Sequence, residues 1–491
     1  MTIQPVRRRG RPMAAVVVIA VSLLLLPAQA SSADTAPDSG IAPAVCGPGS
    51  SPEDGVQGRI PLADRKSGRS AQGYHCNLTL AGQYQGQGAG FINATYHNCV
   101  YFGSFLPASE LTTHPGVQVI DATDPARPRF VESLNSPAFA SGTWESLKVD
   151  PVHGYLAATG VQAPPGAGGL LFDLYSIKDD CAHPKPLNGL GHSGLPVPTA
   201  VLGHEGGFAP DGNTYYATDG IGDVTAIDVS APATPKVIDV SPVGLTNHGF
   251  SISPDGRTMY ATTIAPAGVQ VLDIGDVQDR RPLPQIRQIG QLTWPDGLFS
   301  QHTINFTDQG HRYLFAVDEA GTGGVRLINI DDPAEPVLVR EYRLQIDQPS
   351  EKATREADEG GDGIFGYDAH YCTVDRPVDP TRLACSYWQS GIRLYDIRDL
   401  QDPRELGYYD PKAQTGLVNR LALANSPHTY FVYSPDALDP GDLRLGTLFG
   451  SLHPDMTTDW CSSPAAFNGP DQLWVTCQDN GFLALNYTAS S

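Results

Sequence analysis

Short apolar runs alternate with Gly-, Pro- and Asp-rich punctuation along most of this chain. The clearest stretch is Gly203–Asp219, GHEGGFAPDGNTYYATD. It reads as a strand, a tight Asp-Gly turn and a second strand whose side chains alternate in character. The phrase recurs as NHGFSISPDGRTMYATT from Asn247, QHTINFTDQGHRYLFAVD from Gln301, HYCTV from His370 and TWESLKVDPVHGYLAAT from Thr143. The Asp-Gly pairs at Asp211-Gly212 and Asp255-Gly256 supply the positive φ that such hairpin turns require. A second phrase interleaves with the first. It is an apolar strand that ends in Asp or Asn and runs into a Pro turn: Val117–Asp121, Leu170–Leu174, Val224–Asp228, Val269–Asp273, Val325–Asn329 and Ile392–Asp396, with Gly481–Asn486 as the last copy, lacking the turn.

The interleaving predicts a unit of about four short strands, repeated every roughly 45–55 residues, with longer gaps before the last two copies. Such a unit cannot bury both faces of its sheet alone, so neighbours must stack, and a circular stack leaves no exposed end. The expected fold is all-β, a seven-bladed β-propeller spanning residues 76–491. The last unit stops on its third strand. Asn77–Gly82 looks like the missing fourth, so the ring is expected to be closed by N- and C-terminal strands. Insertions near 345–366 and 411–460 interrupt the period and are candidate partner surfaces.

The phrase [VI]-x-[VL]-[IYL]-D-[IV]-x-D-P-x-x-P resembles the LVIVD repeat of exported bacterial β-propeller proteins, most closely at Val117, Val325 and Ile392. The resemblance spans roughly residues 76–486. It implies the fold and an extracytoplasmic location, and little chemistry.

Export is also expected from the N-terminus. Residues 1–30 read as a signal peptide, with basic Arg7, Arg8, Arg9 and Arg11, an apolar stretch from Ala14 to Leu26 and an Ala28-Gln29-Ala30 cleavage site. Residues 31–75 are rich in Gly, Pro, Ser and Asp and are expected to carry little structure. No later apolar run predicts a transmembrane segment in the mature chain. The eight cysteines then suggest disulfides. Cys372 with Cys385 and Cys461 with Cys477 flank expected hairpins and are the two bridges this predicts, whereas the pairing of Cys46, Cys76, Cys99 and Cys181 stays open. The formal net charge of −21 argues against nucleic acid as a partner.

One position in the first phrase points to chemistry. It holds His204, His248, His302 and His370, and Glu145 in the remaining copy. With 13 His in 491 residues, five aligned positions should hold well under one by chance. In a propeller the first strand of each blade lines the central channel, so equivalent positions converge on the axis. Imidazoles converging on a rigid scaffold suit a transition metal, here Fe, Cu or Zn. Glu145 or Glu205 would support them as an orienting group or additional ligand. Four axial histidines resemble those of the carotenoid-cleaving oxygenases in geometry only, since the sequence motifs of that family are absent. Two functions follow as expectations. One is an exported metal-dependent oxidoreductase acting on a small molecule. The alternative is a non-catalytic propeller scaffold that binds a ligand or an extracytoplasmic protein.

Overall fold

Seven antiparallel sheets of four or five strands follow one another along the chain. The computed structural model describes residues 40–488, apart from 87, 104–115, 141, 161–169, 189–194, 198–203, 221, 322–323, 359–365 and 414–458. The expected signal peptide and most of the 411–460 insertion therefore lie outside the described residues. We number the sheets as blades in chain order, starting at residues 93–134 for blade 1, 148–186 for blade 2 and 205–242 for blade 3. Blades 4, 5 and 6 begin with 247–293, 297–342 and 369–410, and blade 7 contains 466–487. All seven apolar phrases read from the sequence form the third strand of a blade.

Period-two alternation makes each third strand double-sided. In blade 1, Val119 packs with Leu156 and Tyr175 of blade 2, while its neighbour Ile120 packs with Phe482 and Ala484 of blade 7. Comparable clusters join every successive pair, including Phe315 with Leu383 between blades 5 and 6 and Leu394 with Val475 between blades 6 and 7. Blade 7 combines residues 466–487 with a strand from before blade 1. Its outer strand Leu78–Tyr84 pairs antiparallel with Gly481–Tyr487. Gly212 and Gly256 have φ of 69° and 74°, the left-handed backbone that their hairpin turns require.

The segment expected to carry little structure is ordered from residue 40, which corrects that expectation. It contains the helix Leu62–Ser67 and the strand Tyr74–Cys76, which becomes a fifth strand of blade 6. Composition misled here because few apolar side chains hold the segment; polar contacts do. Arg59 pairs with buried Asp358 at 2.8 Å. Glu53 meets fully buried Arg393 at 2.6 Å, and Arg393 also meets Glu405 at 2.7 Å. The disulfide Cys46–Cys76 ties the segment to its own strand. The other three bridges are Cys99–Cys181, between blades 1 and 2, and the two hairpin bridges Cys372–Cys385 and Cys461–Cys477. The insertion after blade 5 is partly helical, with Lys352–Ala357 leading into Asp358. Among the described residues, no helix is long and apolar enough to cross a membrane.

Two predictions follow from these buried charges. Arg393→Ala leaves Glu53 and Glu405 uncompensated, so denaturant unfolding should show a loss of about 3–5 kcal/mol. Asp347 is 2 % exposed and one of its carboxylate oxygens has no hydrogen-bond partner. Burial pushes its carboxyl well above the ordinary range, and Asp368 adds to this against Arg355 and Arg343. A carboxyl raised on folding contributes stability below its unfolded pKa and loses it as pH rises through the folded value. Asp347→Asn should therefore melt higher than wild type at pH 8, with that advantage gone at pH 4.

Candidate metal centre

The innermost strands carry their ligand-type side chains at β-bulges. In blade 4 the register shifts between Asn247 and Phe250, around His248. In blade 6 it shifts between Ala369 and Tyr371, so His370 is the extra residue. In blade 5 it shifts between Ser300 and His302, and the extra residue is Gln301. A bulge inserts one residue and re-aims the side chains around it. His204 and Glu145 reach the axis through the backbone instead: His204 N–H donates to Thr218 O and Glu145 N–H donates to His204 O, each at 3.1 Å.

Three of the four expected histidines converge. The Nε2 atoms of His204 and His248 stand 2.8 Å apart. Glu145 Oε2 lies 3.1 Å from His204 Nε2 and 3.9 Å from His248 Nε2. Glu145 Oε1 lies 2.8 Å from His370 Nε2. Glu319, on the second strand of blade 5, completes the group. Its Oε1 is 3.4 Å from His248 Nε2 and its Oε2 is 3.1 Å from His370 Nε2. The amide of Gln301 inserts between Glu145 Oε1 and His370 Nε2, 2.8 Å from each.

His302 does not join them, which corrects the four-histidine expectation. Counted from its turn, His302 stands as far along the strand as His204 and His248 do. The blade 5 bulge gives the axial place to Gln301 instead. The His302 ring lies against Tyr371, with centroids 4.4 Å apart, and its Nε2 is 3.3 Å from Cys372 O. Burial holds its pKa down to about 3, against some support from the Cys372 carbonyl. Glu205 is also elsewhere. It accepts a hydrogen bond from Tyr371 Oη and pairs with Lys148. Lys148 lines a cavity of about 350 Å³ with Asp150, Phe208 and Pro464. Glu205 is thus engaged by Tyr371 and Lys148, and its charge still acts on His204 and His248.

The hydrogen bonds fix the tautomers that a cation needs. His248 Nδ1–H donates to Gln301 O at 3.0 Å, and His370 Nδ1–H donates to Ser462 O at 2.5 Å. Both Nε2 lone pairs then face the carboxylates. Backbone-oriented imidazoles of this kind are typical of metal ligands. Without a cation, protons must compensate. Burial opposes charge on His370, but Glu145 and Glu319 outweigh it and push its pKa up to about 9. Burial and the neighbouring His204 hold His248 down. For Glu145, burial opposes the charge, and hydrogen bonds from His204 and His370 overcome it, holding the carboxyl well below its usual range. Two sets have donor atoms close enough to share an ion: Glu145, His204 and His248, and Glu145, Glu319 and His370. Asp459 lies similarly close to Cys461 and Cys477, but those sulfurs are bonded to each other and offer no thiolate.

Access is one-sided. The His204 side chain is 17 % exposed, whereas His370 is fully buried. An aromatic wall borders the cluster. Trp388 lies 4.2 Å from the His370 ring and 4.9 Å from Trp460, and Trp144 lies 5.2 Å from the His204 ring. Phe91 bridges Trp144 and Trp388 at 5.9 and 5.4 Å. Trp144 adopts φ 47°, a left-handed backbone that is rare for a bulky residue.

Sequence reasoning missed Gln301, Glu319 and most of the wall. Glu319 follows the strand motif LFAVD directly, an acid where the aligned copies carry Gly220 or Ile264. That was the available signal.

No protein-family model and no curated protein sequence matches the chain. Among solved structures it is similar to the periplasmic gluconolactonase of Pseudomonas aeruginosa. That match has a TM-score of 0.48 and 15 % identity and covers 79 % of this chain and 96 % of that one. It is also similar to the hydrazine synthase of Kuenenia stuttgartiensis, with a TM-score of 0.47 and 12 % identity over 83 % of this chain and 98 % of that one.

Because His302 lies outside the cluster, His302→Phe should leave the metal content of the purified protein as in wild type, whereas His248→Ala should lower it. Metal content per folded chain, measured side by side for the two variants, checks this.

Proposed function

We propose that this protein is an extracytoplasmic metal-dependent oxidoreductase whose ion sits on the propeller axis. The observation that carries the reading is the triad of His204 Nε2, His248 Nε2 and Glu145 Oε2, with the two nitrogens 2.8 Å apart. Two imidazoles and one carboxylate with open positions form the donor set of non-haem iron(II) oxygenases. Iron is therefore the first candidate, and copper and zinc are the other ions this nitrogen and oxygen set accepts. The bound ion would supply redox or Lewis-acid chemistry toward dioxygen, water or a small substrate.

The chain's own residues divide the remaining work. Gln301 O and Ser462 O orient His248 and His370. The partial exposure of His204 gives a small molecule an approach beside Trp144. Phe91 and Trp388 lie against the His370 ring, with Trp460 against Trp388, and keep water from it; each of the three is at least 95 % buried. Four disulfides are consistent with an oxidising compartment, as is the LVIVD-like repeat.

Elemental analysis of the purified protein tests the reading. Iron, copper or zinc in at least near-stoichiometric amount is expected, lowered in the His204→Ala, His248→Ala double variant. Chelation should also lower the melting temperature. An ion at 100 times its Kd contributes about 2.7 kcal/mol. No bound metal, with the double variant as stable as wild type, would leave the channel cluster a structural ion-pair network and favour the non-catalytic scaffold.

A further inference from the structure

We infer that the channel holds two metal ions side by side, bridged by Glu145 and Glu319. The inference rests on the metal-centre reading above and goes beyond it in nuclearity. Its basis is that each carboxylate offers one oxygen to either side. Glu145 turns Oε2 toward His204 and His248, and Oε1 toward His370 at 2.8 Å. Glu319 repeats the arrangement from another strand, with Oε1 toward His248 at 3.4 Å and Oε2 toward His370 at 3.1 Å. The two triads able to share an ion have Glu145 in common and are otherwise different.

Each half is then a complete donor set. The first half comprises His204 Nε2, His248 Nε2 and Glu145 Oε2, with Glu319 Oε1 3.4 Å from His248 Nε2. The second comprises His370 Nε2, Glu145 Oε1, Glu319 Oε2 and the Gln301 amide. Amide oxygen and nitrogen exchange places by a simple flip. Gln301 Oε1 has no hydrogen-bond partner where it stands; turning it toward His370 gives up the 2.8 Å contacts of Nε2 with Glu145 Oε1 and His370 Nε2, which a cation held there would replace. A single ion in the first half would leave the His370 Nε2 lone pair facing two carboxylate oxygens. Only a proton or a second cation relieves that contact. Oxygen- and nitrogen-only donors select first-row divalent ions such as iron, manganese or zinc over copper(I). Paired ions about 3.5–4 Å apart can hold both ends of one small ligand, and the exposed flank of His204 is where such a ligand would enter.

Counting ions tests this directly. Full-length protein is stripped with chelator and reloaded with Fe(II) under anaerobic conditions or with Zn(II). After desalting, ions per chain are measured, and the melting temperature of each sample verifies folding. Wild type should hold two ions, and His370→Ala and the isosteric Glu319→Gln one each. One ion in wild type, unchanged in both variants, would overturn the bridged pair while sparing the single-ion reading. No ion in any sample would overturn both. Should His370→Ala fail to fold, Glu319→Gln with wild type still decides the count.

Discussion

Two carboxylates buried on the axis of the ring, Glu145 and Glu319, set the terms for everything around them. A buried charge is costly unless it is paired and hydrogen-bonded. Here three imidazoles from three different blades surround the pair. With two of those imidazoles holding their Nδ1 protons on backbone carbonyls, the inward nitrogens are acceptors by default. Acceptors facing acceptors are stable only with positive charge between them, whether protons or metal ions. A site intended only to hold blades together has simpler solutions, since a buried ion pair replaced by apolar packing is often neutral or stabilising.

The scaffold makes that concentration of charge tolerable. Seven inter-blade clusters fix the innermost strands, and a rigid frame prevents the carboxylates from relaxing away from one another. The N-terminal segment adds to the frame from outside the ring. It contributes a strand to blade 6 and another to blade 7, and it clamps Arg393 between Glu53 and Glu405. Blade 6 carries His370, so the segment that looked dispensable from composition braces the blade at the centre of the site. Beside the cluster, Lys148 pairs with Glu205, Tyr371 donates to Glu205, and the His302 ring lies against Tyr371.

Blade number, strand order and hairpin turns were legible because they rest on local periodicity and turn chemistry, which a linear pattern expresses directly. The site was legible in part. A recurring histidine marked the position that faces the cluster in blades 3, 4 and 6, and Glu145 marked it in blade 2. In blade 5 the register changes at a bulge, and a bulge leaves no trace when residues are counted from a turn. His302 was therefore favoured over Gln301, its immediate neighbour. Glu319 was hidden for a different reason. It lies on a second strand, while the repeat pointed to first strands, and its approach to the axis is a tertiary fact. Glu205 follows His204 directly, and adjacent residues on a strand face opposite ways, so its carboxylate pairs with Lys148 and Tyr371 and acts on the histidines only through its charge.

Trp144 links the local backbone to this chemistry. A bulky residue in a left-handed conformation costs on the order of 1–3 kcal/mol and persists only where its surroundings impose it. Its neighbour Glu145 is held at that point by a backbone hydrogen bond to His204 O, and both Glu145 oxygens are committed to the cluster. The turn at Trp144 is what brings a chain arriving from blade 1 sharply enough inward to deliver the carboxylate. The same turn lays the indole beside His204, the most exposed of the three imidazoles. One strained residue therefore both places the ligand and shapes the approach to it. A glycine would relieve the backbone and satisfy only the first of these, which is a physical reason for tryptophan to occupy the position despite its strain.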